Sequence, residues 1–147
     1  MTNDDKSKTF TLGYLGKLNK NKGIEDLIDV YETLLQKENF NKLEPNLLIG
    51  GVGSENYIRS INERISNKNI QFLGYVEDRY SFFNSIKVFI FPSYSEGLGL
   101  VLLEAMSHGV LCITRDVSPM NSIINHGENG FLFKDNNELM EIIEKAL

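Results

Sequence analysis

Short apolar segments alternate with helical patterns about six times in this sequence, and no other feature limits the fold as strongly. The apolar segments lie at 10–15, 46–50, 70–73, 88–91, 110–114 and 130–133. Helical patterns fall between them at 24–35, 54–67, 76–85, 98–108 and 119–125, and a last one follows Asp135. Strands that alternate with helices build a parallel sheet covered on both faces and joined by right-handed crossovers. We therefore predict an α/β fold of three layers, around a mostly parallel sheet of about six strands.

The composition is that of one globular domain that avoids polyanions. Hydrophobic residues make up 41% and charged residues 24% of the 147 residues, and the net charge is −5. Because an acidic surface repels nucleic acids and anionic lipid headgroups, we expect neither as a partner of the whole domain. No apolar run approaches the roughly 20 residues that span a bilayer. We expect residues 1–8 to be a disordered polar linker or a cloning remnant, followed by one domain at 9–147.

Several residues that often carry chemistry have an ordinary structural explanation here. Cys112 is the only cysteine, and its apolar neighbours favour a buried, inert thiol, in keeping with a reducing cytoplasm. His108 and His126 lack the spacing of metal ligands, so we expect structural or solvated roles and no metal site. Three aromatic residues of the 76–85 helix are expected in the core: Tyr80, Phe82 and Phe83.

The predicted sheet also indicates where a ligand would bind. In open α/β sheets, ligands lie outside the carboxyl ends of the strands. The segments at those ends are 16–23, 50–54, 74–76, 92–98 and 116–118. Most of them contain glycine or cationic residues, as a site for a phosphorylated ligand would.

Residues 91–106 are the most informative about chemistry. An apolar strand runs into a loop with Gly97 and Gly99, and the loop opens a helix whose N–H groups and dipole favour an anion. Glu96 lies in that loop, and Glu104 lies about two turns into the predicted helix. Two carboxylates there suit the hydroxyls of sugars that flank a phosphate. In the alternative, Glu96 caps the helix and Glu104 is a solvated surface residue; the spacing alone does not decide between them.

Two other segments also allow a structural and a functional interpretation. Lys17 and Lys22 belong to a lysine-rich stretch, which by itself favours a solvated loop over an anion site. The glycines at 50–53 follow a strand, where a tight turn is commoner than a phosphate cradle.

The ordered motifs resemble those of the group 1 (family 4) retaining glycosyltransferases, which have the two-domain GT-B fold. The segment 96–104 is similar to that family's E-x7-E region. Further elements follow in the family's order: Gly16-Lys17-Leu18 with Lys22-Gly23, Ile49-Gly50-Gly51-Val52-Gly53, Phe72-Leu73-Gly74-Tyr75-Val76, Glu104-Ala105-Met106 with Gly109, and Gly127-Glu128-Asn129-Gly130. The resemblance covers about residues 10–147. It implies a Rossmann-like, carboxy-terminal donor-binding domain, which is one half of a GT-B fold.

By position, the resemblance implies a role for each motif residue. Lys17 and Lys22 would neutralise the donor diphosphate as the sugar departs. Glu96 would hold hydroxyls of the transferred sugar, and Glu104 would hold the ribose hydroxyls. The remaining motif residues would bind the donor largely through their backbone: Gly16, Tyr75, Val76, Gly97, Leu98, Gly99 and Leu100. The implied donor is a nucleoside-diphosphate sugar, and neither a metal nor another cofactor is implied.

The sequence also departs from the family. Lys17 stands where arginine is usual, which keeps the charge but loses the bidentate fork. Ser122 stands where an acidic residue commonly precedes two isoleucines. The resemblance implies an amino-terminal domain with the acceptor site and a tail helix that returns to it, and we expect this sequence to lack both. We therefore expect a hexosyltransferase fragment that is inactive without that domain. We expect it to be cytoplasmic, with membrane association only through the missing domain, and to act in polysaccharide biosynthesis by analogy.

Two alternatives come from other classes of protein. A free-standing nucleotide-sugar-binding module, or a subunit of a split glycosyltransferase, would meet a partner through apolar surface along the cleft. A flavodoxin- or receiver-like regulatory domain would need acidic residues after its first and third strands, where this chain has Gly16-Lys17 and Gly74.

Overall fold

The computed structural model describes residues 10–147, and at their centre is a six-stranded parallel sheet. The strands are β1 (Thr11–Leu15), β2 (Asn46–Gly50), β3 (Ile70–Gly74), β4 (Val88–Phe91), β5 (Leu111–Arg115) and β6 (Phe131–Phe133). Their order across the sheet is β3-β2-β1-β4-β5-β6, and every neighbouring pair is parallel. The predicted Rossmann-like α/β fold is confirmed. The prediction for residues 1–8 lies outside the described residues.

Helices connect the strands and follow the last one. The α-helices of the described residues are α1 (Ile24–Leu35), α2 (Glu38–Asn41), α3 (Glu55–Arg64), α4 (Arg79–Ser85), α5 (Leu100–Ser107), α6 (Met120–Ile123) and α7 (Asn136–Lys145), and a short 3-10 helix, Lys20–Lys22, precedes α1. Right-handed crossovers that run outwards in both directions from β1 and β4 place helices on both faces of the sheet. Within residues 10–147, no helix is both long and apolar enough to cross a bilayer.

The two central strands are buried along their whole length. Every residue of β1 and β4 is buried, which is why these segments are continuously apolar instead of alternating. The ring of Phe89 packs between those of Phe83 and Phe91, with 5.6 Å between centroids on each side. Cys112 is fully buried in β5, and burial raises the pKa of its thiol to about 12. The prediction of a buried thiol is confirmed.

Capping residues decide where two helices begin, later than the sequence pattern predicted. Asp78 Oδ1 accepts a hydrogen bond from the backbone N–H of Ser81 at 3.0 Å, so α4 begins at Arg79 and not at residue 76. Gly99 has a left-handed φ of 70°, so α5 begins at Leu100 and not at residue 98. As a result Glu104 lies about one turn into α5, and the prediction of two turns was wrong.

The aromatic and histidine predictions are confirmed except for one residue. Phe82 and Phe83 are buried, but Tyr80 is 69% exposed, because the same helix turns it towards solvent. His108 stacks on Phe83 with 5.1 Å between ring centroids. His126 Nδ1 accepts a hydrogen bond from the backbone N–H of Leu132 at 3.0 Å. Both histidines therefore have structural roles.

Candidate functional site

The chain leaves β1 and β4 in opposite directions across the sheet, and a cleft opens between the loops that follow them. Open α/β sheets bind ligands at such a point. The cleft contains a cavity of about 490 Å³, a size typical of small-molecule sites. Residues at the ends of four neighbouring strands, and of the helices that follow, line it: Leu15, Gly16, Lys17, Lys22, Gly51, Val52, Tyr75, Val76, Arg79, Phe91, Glu96, Gly97 and Val101. The cavity therefore lies at the edge of the sheet that the sequence indicated.

Glycine lets the loops after β1 and β2 lie directly against each other. The backbone N–H of Leu18 donates to the carbonyl of Val52 at 2.9 Å. A Cβ atom on Gly51 would lie 1.7 Å from the carbonyl oxygen of Gly16, and one on Gly53 would lie 2.1 Å from that of Leu18. These glycines are needed for close backbone packing, which agrees with the structural explanation given for residues 50–53.

Lys22 and Glu96 form an ion pair in the cleft. Lys22 Nζ lies 2.8 Å from Glu96 Oε1, and the two side chains are only 15% and 18% exposed. The hydroxyl of Ser93 donates to the same oxygen at 2.9 Å, and Lys22 Nζ also donates to the carbonyl of Ser95 at 3.4 Å. Among residues 10–147, the hydrogen bonds to Glu96 all fall on Oε1, so Oε2 can accept from a ligand. Glu96 therefore does not cap α5, whose N-cap is Gly99.

Lys17 lines the same cavity, and its backbone is held by a hydrogen bond from the buried strand β1. The hydroxyl of Tyr14, fully buried in β1, donates to the carbonyl of Lys17 at 2.7 Å. Burial raises the pKa of Tyr14, and the negative charge of Glu96 raises it further, so this hydroxyl keeps its proton. The side chain of Lys17 has no ion-pair partner among the described residues. Its ammonium group is available to an anion.

Arg79 is a site residue that the motifs did not indicate. Its Nε donates to Glu104 Oε1 at 3.0 Å and to Oε2 at 2.8 Å, and its Nη2 donates to Oε1 at 2.5 Å. These bonds hold the pKa of Glu104 below its ordinary value of 4.5. Arg79 lines the cavity, whereas Glu104 is not one of the lining residues. Glu104 is therefore a paired carboxylate and not a solvated one. The sequence signal that could have indicated Arg79 is its place shortly after Gly74, which ends β3.

The other predicted residues lie around the same cleft. Gly97, Tyr75 and Val76 line the cavity. Tyr75 is mostly exposed at its edge. A Cβ atom on Gly97 would meet no atom within 4 Å, whereas Gly99 is the left-handed N-cap of α5. Two leucines of this segment, Leu98 and Leu100, point largely to solvent.

The cavity is cationic although the chain is acidic overall. Lys17, Lys22 and Arg79 line it together with one carboxylate, that of Glu96. Within residues 10–147, no three histidine, cysteine, aspartate or glutamate side chains come together as metal ligands. The arrangement suits a ligand that carries phosphate charge beside sugar hydroxyls.

The family described as "Glycosyl transferases group 1" matches residues 2–147 of the chain. The chain belongs to the group 1 glycosyltransferases. A curated relative of this glycosyltransferase domain is the capsular polysaccharide biosynthesis glycosyltransferase CapM of Staphylococcus aureus, 34% identical over 94% of the chain and 37% of CapM. Another is the O-antigen biosynthesis glycosyltransferase WclY of Escherichia coli, 28% identical over 91% of the chain and 36% of WclY. The chain thus spans little more than a third of the length of these relatives.

Solved structures of other glycosyltransferases have the same fold. Anabaena HepE, crystallised with UDP and glucose, superposes with a TM-score of 0.83 at 23% identity, over 95% of the chain and 39% of HepE. The C-terminal domain of the group 1 family glycosyltransferase LpcC from Francisella tularensis superposes with a TM-score of 0.81 at 22% identity, over 97% of the chain and 78% of that domain. The fold of this glycosyltransferase chain is thus that of a GT-B carboxy-terminal domain.

Proposed function

We propose that this chain is the donor-binding domain of a retaining glycosyltransferase, which moves a sugar from a nucleoside-diphosphate sugar to an acceptor held by an amino-terminal domain. The Lys22–Glu96 pair is the observation that carries the proposal. It puts an ammonium group and a carboxylate with an available oxygen side by side in a cationic cleft. The ammonium suits the diphosphate, and the carboxylate suits the hydroxyls of the attached sugar.

Each part of such a donor has a matching group in the cleft. As the bond from the anomeric carbon to the leaving oxygen breaks, its electron pair stays on the diphosphate. Lys17 and Lys22 would stabilise that growing charge, together with the N–H groups at the start of α5. These cations can do the work that a metal ion does in other transferases. Glu104 would take the ribose, and the backbone at Tyr75 and Val76 would take the base.

A second domain or subunit completes the site in this proposal. The relatives CapM and WclY are nearly three times as long as the matched segment. Leucine side chains beside the cleft expose much of their surface, Leu98 by 73% and Leu100 by 65%. These residues are where an amino-terminal domain, or the partner of a split enzyme, would cover the donor. We therefore expect no sugar transfer by this chain alone, and a cytoplasmic enzyme whose membrane contact, where it has one, comes from the other domain.

Calorimetric titration with UDP, GDP, ADP and their sugar conjugates tests the donor site. UDP is the first probe, because HepE was crystallised with it. We expect one nucleoside diphosphate to bind, and Lys22→Met to weaken it by about 10- to 100-fold, the worth of a charged hydrogen bond. The unphosphorylated nucleoside should be unaffected.

Lys20→Met is the matched control, because Lys20 lies exposed in the same loop and has no ion pair among the described residues. If both variants weaken the nucleotide equally, general charge attraction explains binding and Lys22 is not a phosphate ligand. If no nucleotide binds to the chain or to the full-length protein, the proposed function is wrong.

A further inference from the structure

Arg115, at the end of β5, is a buried cation that plays no part in lining the cavity. Its side chain is only 7% exposed. Its Nη2 donates to Asp26 Oδ2 at 2.9 Å, and its Nε donates to the carbonyl of Pro92 at 2.9 Å. The guanidinium carbon lies 3.9 Å from the ring centroid of Tyr94 and 4.9 Å from that of Phe133. Burying a charge costs free energy unless the charge is paired and hydrogen-bonded, and Arg115 has both kinds of partner.

Apart from Phe133 of β6, the partners of Arg115 belong to the two segments that carry the Lys22–Glu96 pair. Pro92 and Tyr94 lie in the 92–98 loop, within four residues of Glu96. Asp26 lies in the first turn of α1, four residues after Lys22. The hydroxyl of Tyr94 also donates to Asp26 Oδ2.

The packing leaves the 92–98 loop little freedom to move. The carbonyl of Pro92 that accepts from Arg115 also faces Gly23, where a Cβ atom would lie 2.1 Å from it. The backbone N–H of Tyr94 donates to the carbonyl of Asn21 at 2.9 Å. The loop is therefore held by its backbone to residues 21–23 on one side and to Arg115 on the other.

Energetics favour a geometric role over a purely stabilising one. A buried ion pair loses much of its attraction to the cost of removing both charges from water. A planar guanidinium that donates in two directions and stacks on a ring fixes its neighbours with more precision than an apolar side chain would. Arg115 is thus suited to set the position of the 92–98 loop, which carries Glu96.

We propose that Arg115, paired with Asp26, is a positioning residue that aims Glu96 at the sugar of the bound donor. The inference rests on the proposed donor-binding function. It separates two parts of the donor: Lys17, Tyr75 and Glu104, proposed to bind the nucleotide, lie outside the 92–98 loop, whereas Glu96, proposed to bind the sugar, lies within it. Lys22 belongs to both parts, because it pairs with Glu96. Loss of Arg115 should therefore weaken the sugar conjugate selectively.

Titration of the whole chain with UDP and with UDP-glucose, UDP-galactose and UDP-N-acetylglucosamine tests this. The conjugate that binds the wild-type chain is then compared with UDP in Arg115→Met, which keeps the side-chain volume. We expect UDP to bind within about twofold of wild type, and the conjugate to bind about tenfold more weakly, as for loss of a charged hydrogen bond. In an E96Q background the same substitution should cause no further loss, because the two residues act through one contact.

The matched control is Arg64→Met on α3, whose guanidinium pairs with Asp29 of α1 at 2.9 Å but is about half exposed. It should leave both affinities unchanged. If Arg115→Met does not fold, Arg115→Lys takes its place in the same cycle, because lysine keeps the charge but loses the planar fork that donates from separate nitrogens to Asp26 and Pro92.

Several results would overturn the inference. Equal losses for UDP and the conjugate would show general damage, and unchanged affinities would show no role. Losses that simply add to those of E96Q would show that Arg115 does not act through Glu96. A wild-type chain that binds no nucleotide would instead refute the donor site itself, and the role of Arg115 with it.

Discussion

The Arg79–Glu104 pair leads to a quantitative prediction about how the ribose is recognised. A carboxylate has about four acceptor positions, two on each oxygen. Arg79 directs two N–H groups at this carboxylate: the single Nε–H is shared between Oε1 and Oε2, and Nη2 donates to Oε1. Oε2 is the less occupied oxygen, because it receives only the shared N–H, and we expect it to accept one strong hydrogen bond from the ribose. We therefore predict that UDP analogues lacking the 2′- or the 3′-hydroxyl differ sharply in affinity.

The size of the difference follows from the charge of the acceptor. A hydrogen bond to a charged group contributes about 1.5–3 kcal/mol, which corresponds to a roughly 10- to 150-fold change in Kd. Glu104 keeps its charge at neutral pH because Arg79 lowers its pKa. In Glu104→Ala the acceptor is gone, so UDP and both deoxy analogues should bind alike. Arg79 is 41% exposed, so water solvates it in the variant and the fold should survive.

Calorimetry with three ligands and two proteins completes the cycle, and Glu141→Ala on α7 serves as an exposed-carboxylate control. The decisive quantity is the penalty for each missing hydroxyl, compared between wild type and Glu104→Ala. If the penalty is the same in both proteins, Glu104 does not contact the ribose. If the two deoxy analogues lose affinity equally in the wild-type chain, the assignment of one strong ribose hydrogen bond to Oε2 is wrong.

Three further predictions concern stability and reactivity. Gly51→Ala should destabilise the chain by about 2–4 kcal/mol in urea unfolding, because its Cβ would collide with Gly16 at a φ of 130°; Gly97→Ala, which meets open space, should change stability by less than ~1 kcal/mol. Glu104 has a lowered pKa, so its pairing stabilises the fold above pH 4.5 and the contribution is lost as the pH falls through the lowered value. Melts should show wild type to be more stable than Glu104→Ala by under ~1 kcal/mol at pH 7, with a gap that shrinks as the pH falls below 4.5. Cys112, with a thiol pKa of about 12, should react with a disulfide reagent only as the chain unfolds, and fast labelling of the native chain would contradict its burial.

The sheet could be predicted from the sequence because each strand is marked by its own residues. All six apolar segments match the observed strands to within a residue at each end, because a strand buried on both faces leaves a short apolar run between polar loops. Helix boundaries were harder, since they depend on caps. The start of α4 could be read from Asp78, a common N-cap residue. The start of α5 depends on the left-handed φ of Gly99, and a glycine in a sequence permits that conformation without requiring it.

The site was predictable where it depends on loops at the ends of strands, and not where it depends on contacts between distant side chains. Lys17, Lys22, Glu96 and Gly97 were placed in one cleft because parallel strands end at one edge. Arg79 was missed because its place in the cleft is visible only through its contact with Glu104 on another helix, 25 residues away. Hydrophobic periodicity along the chain does not indicate contacts between polar side chains on different helices.

Arg115 was missed for the same reason. In the proposed role of Arg115, different segments of the cleft bind the nucleotide and the sugar of the donor. The segments that would bind the nucleotide follow β1 and β3 and include α5, whereas Glu96 lies in the loop after β4, tied to β5 through Arg115. The two parts share the Lys22–Glu96 pair, but the hydrogen bonds of Arg115 go to Asp26 and to the 92–98 loop, so its loss acts first on Glu96. A chain could then keep its affinity for a nucleoside diphosphate while losing its hold on the sugar, so nucleotide binding alone is weak support for a competent donor site. The affinity for the sugar conjugate relative to the bare diphosphate is the quantity that reports whether the 92–98 loop is in its working position.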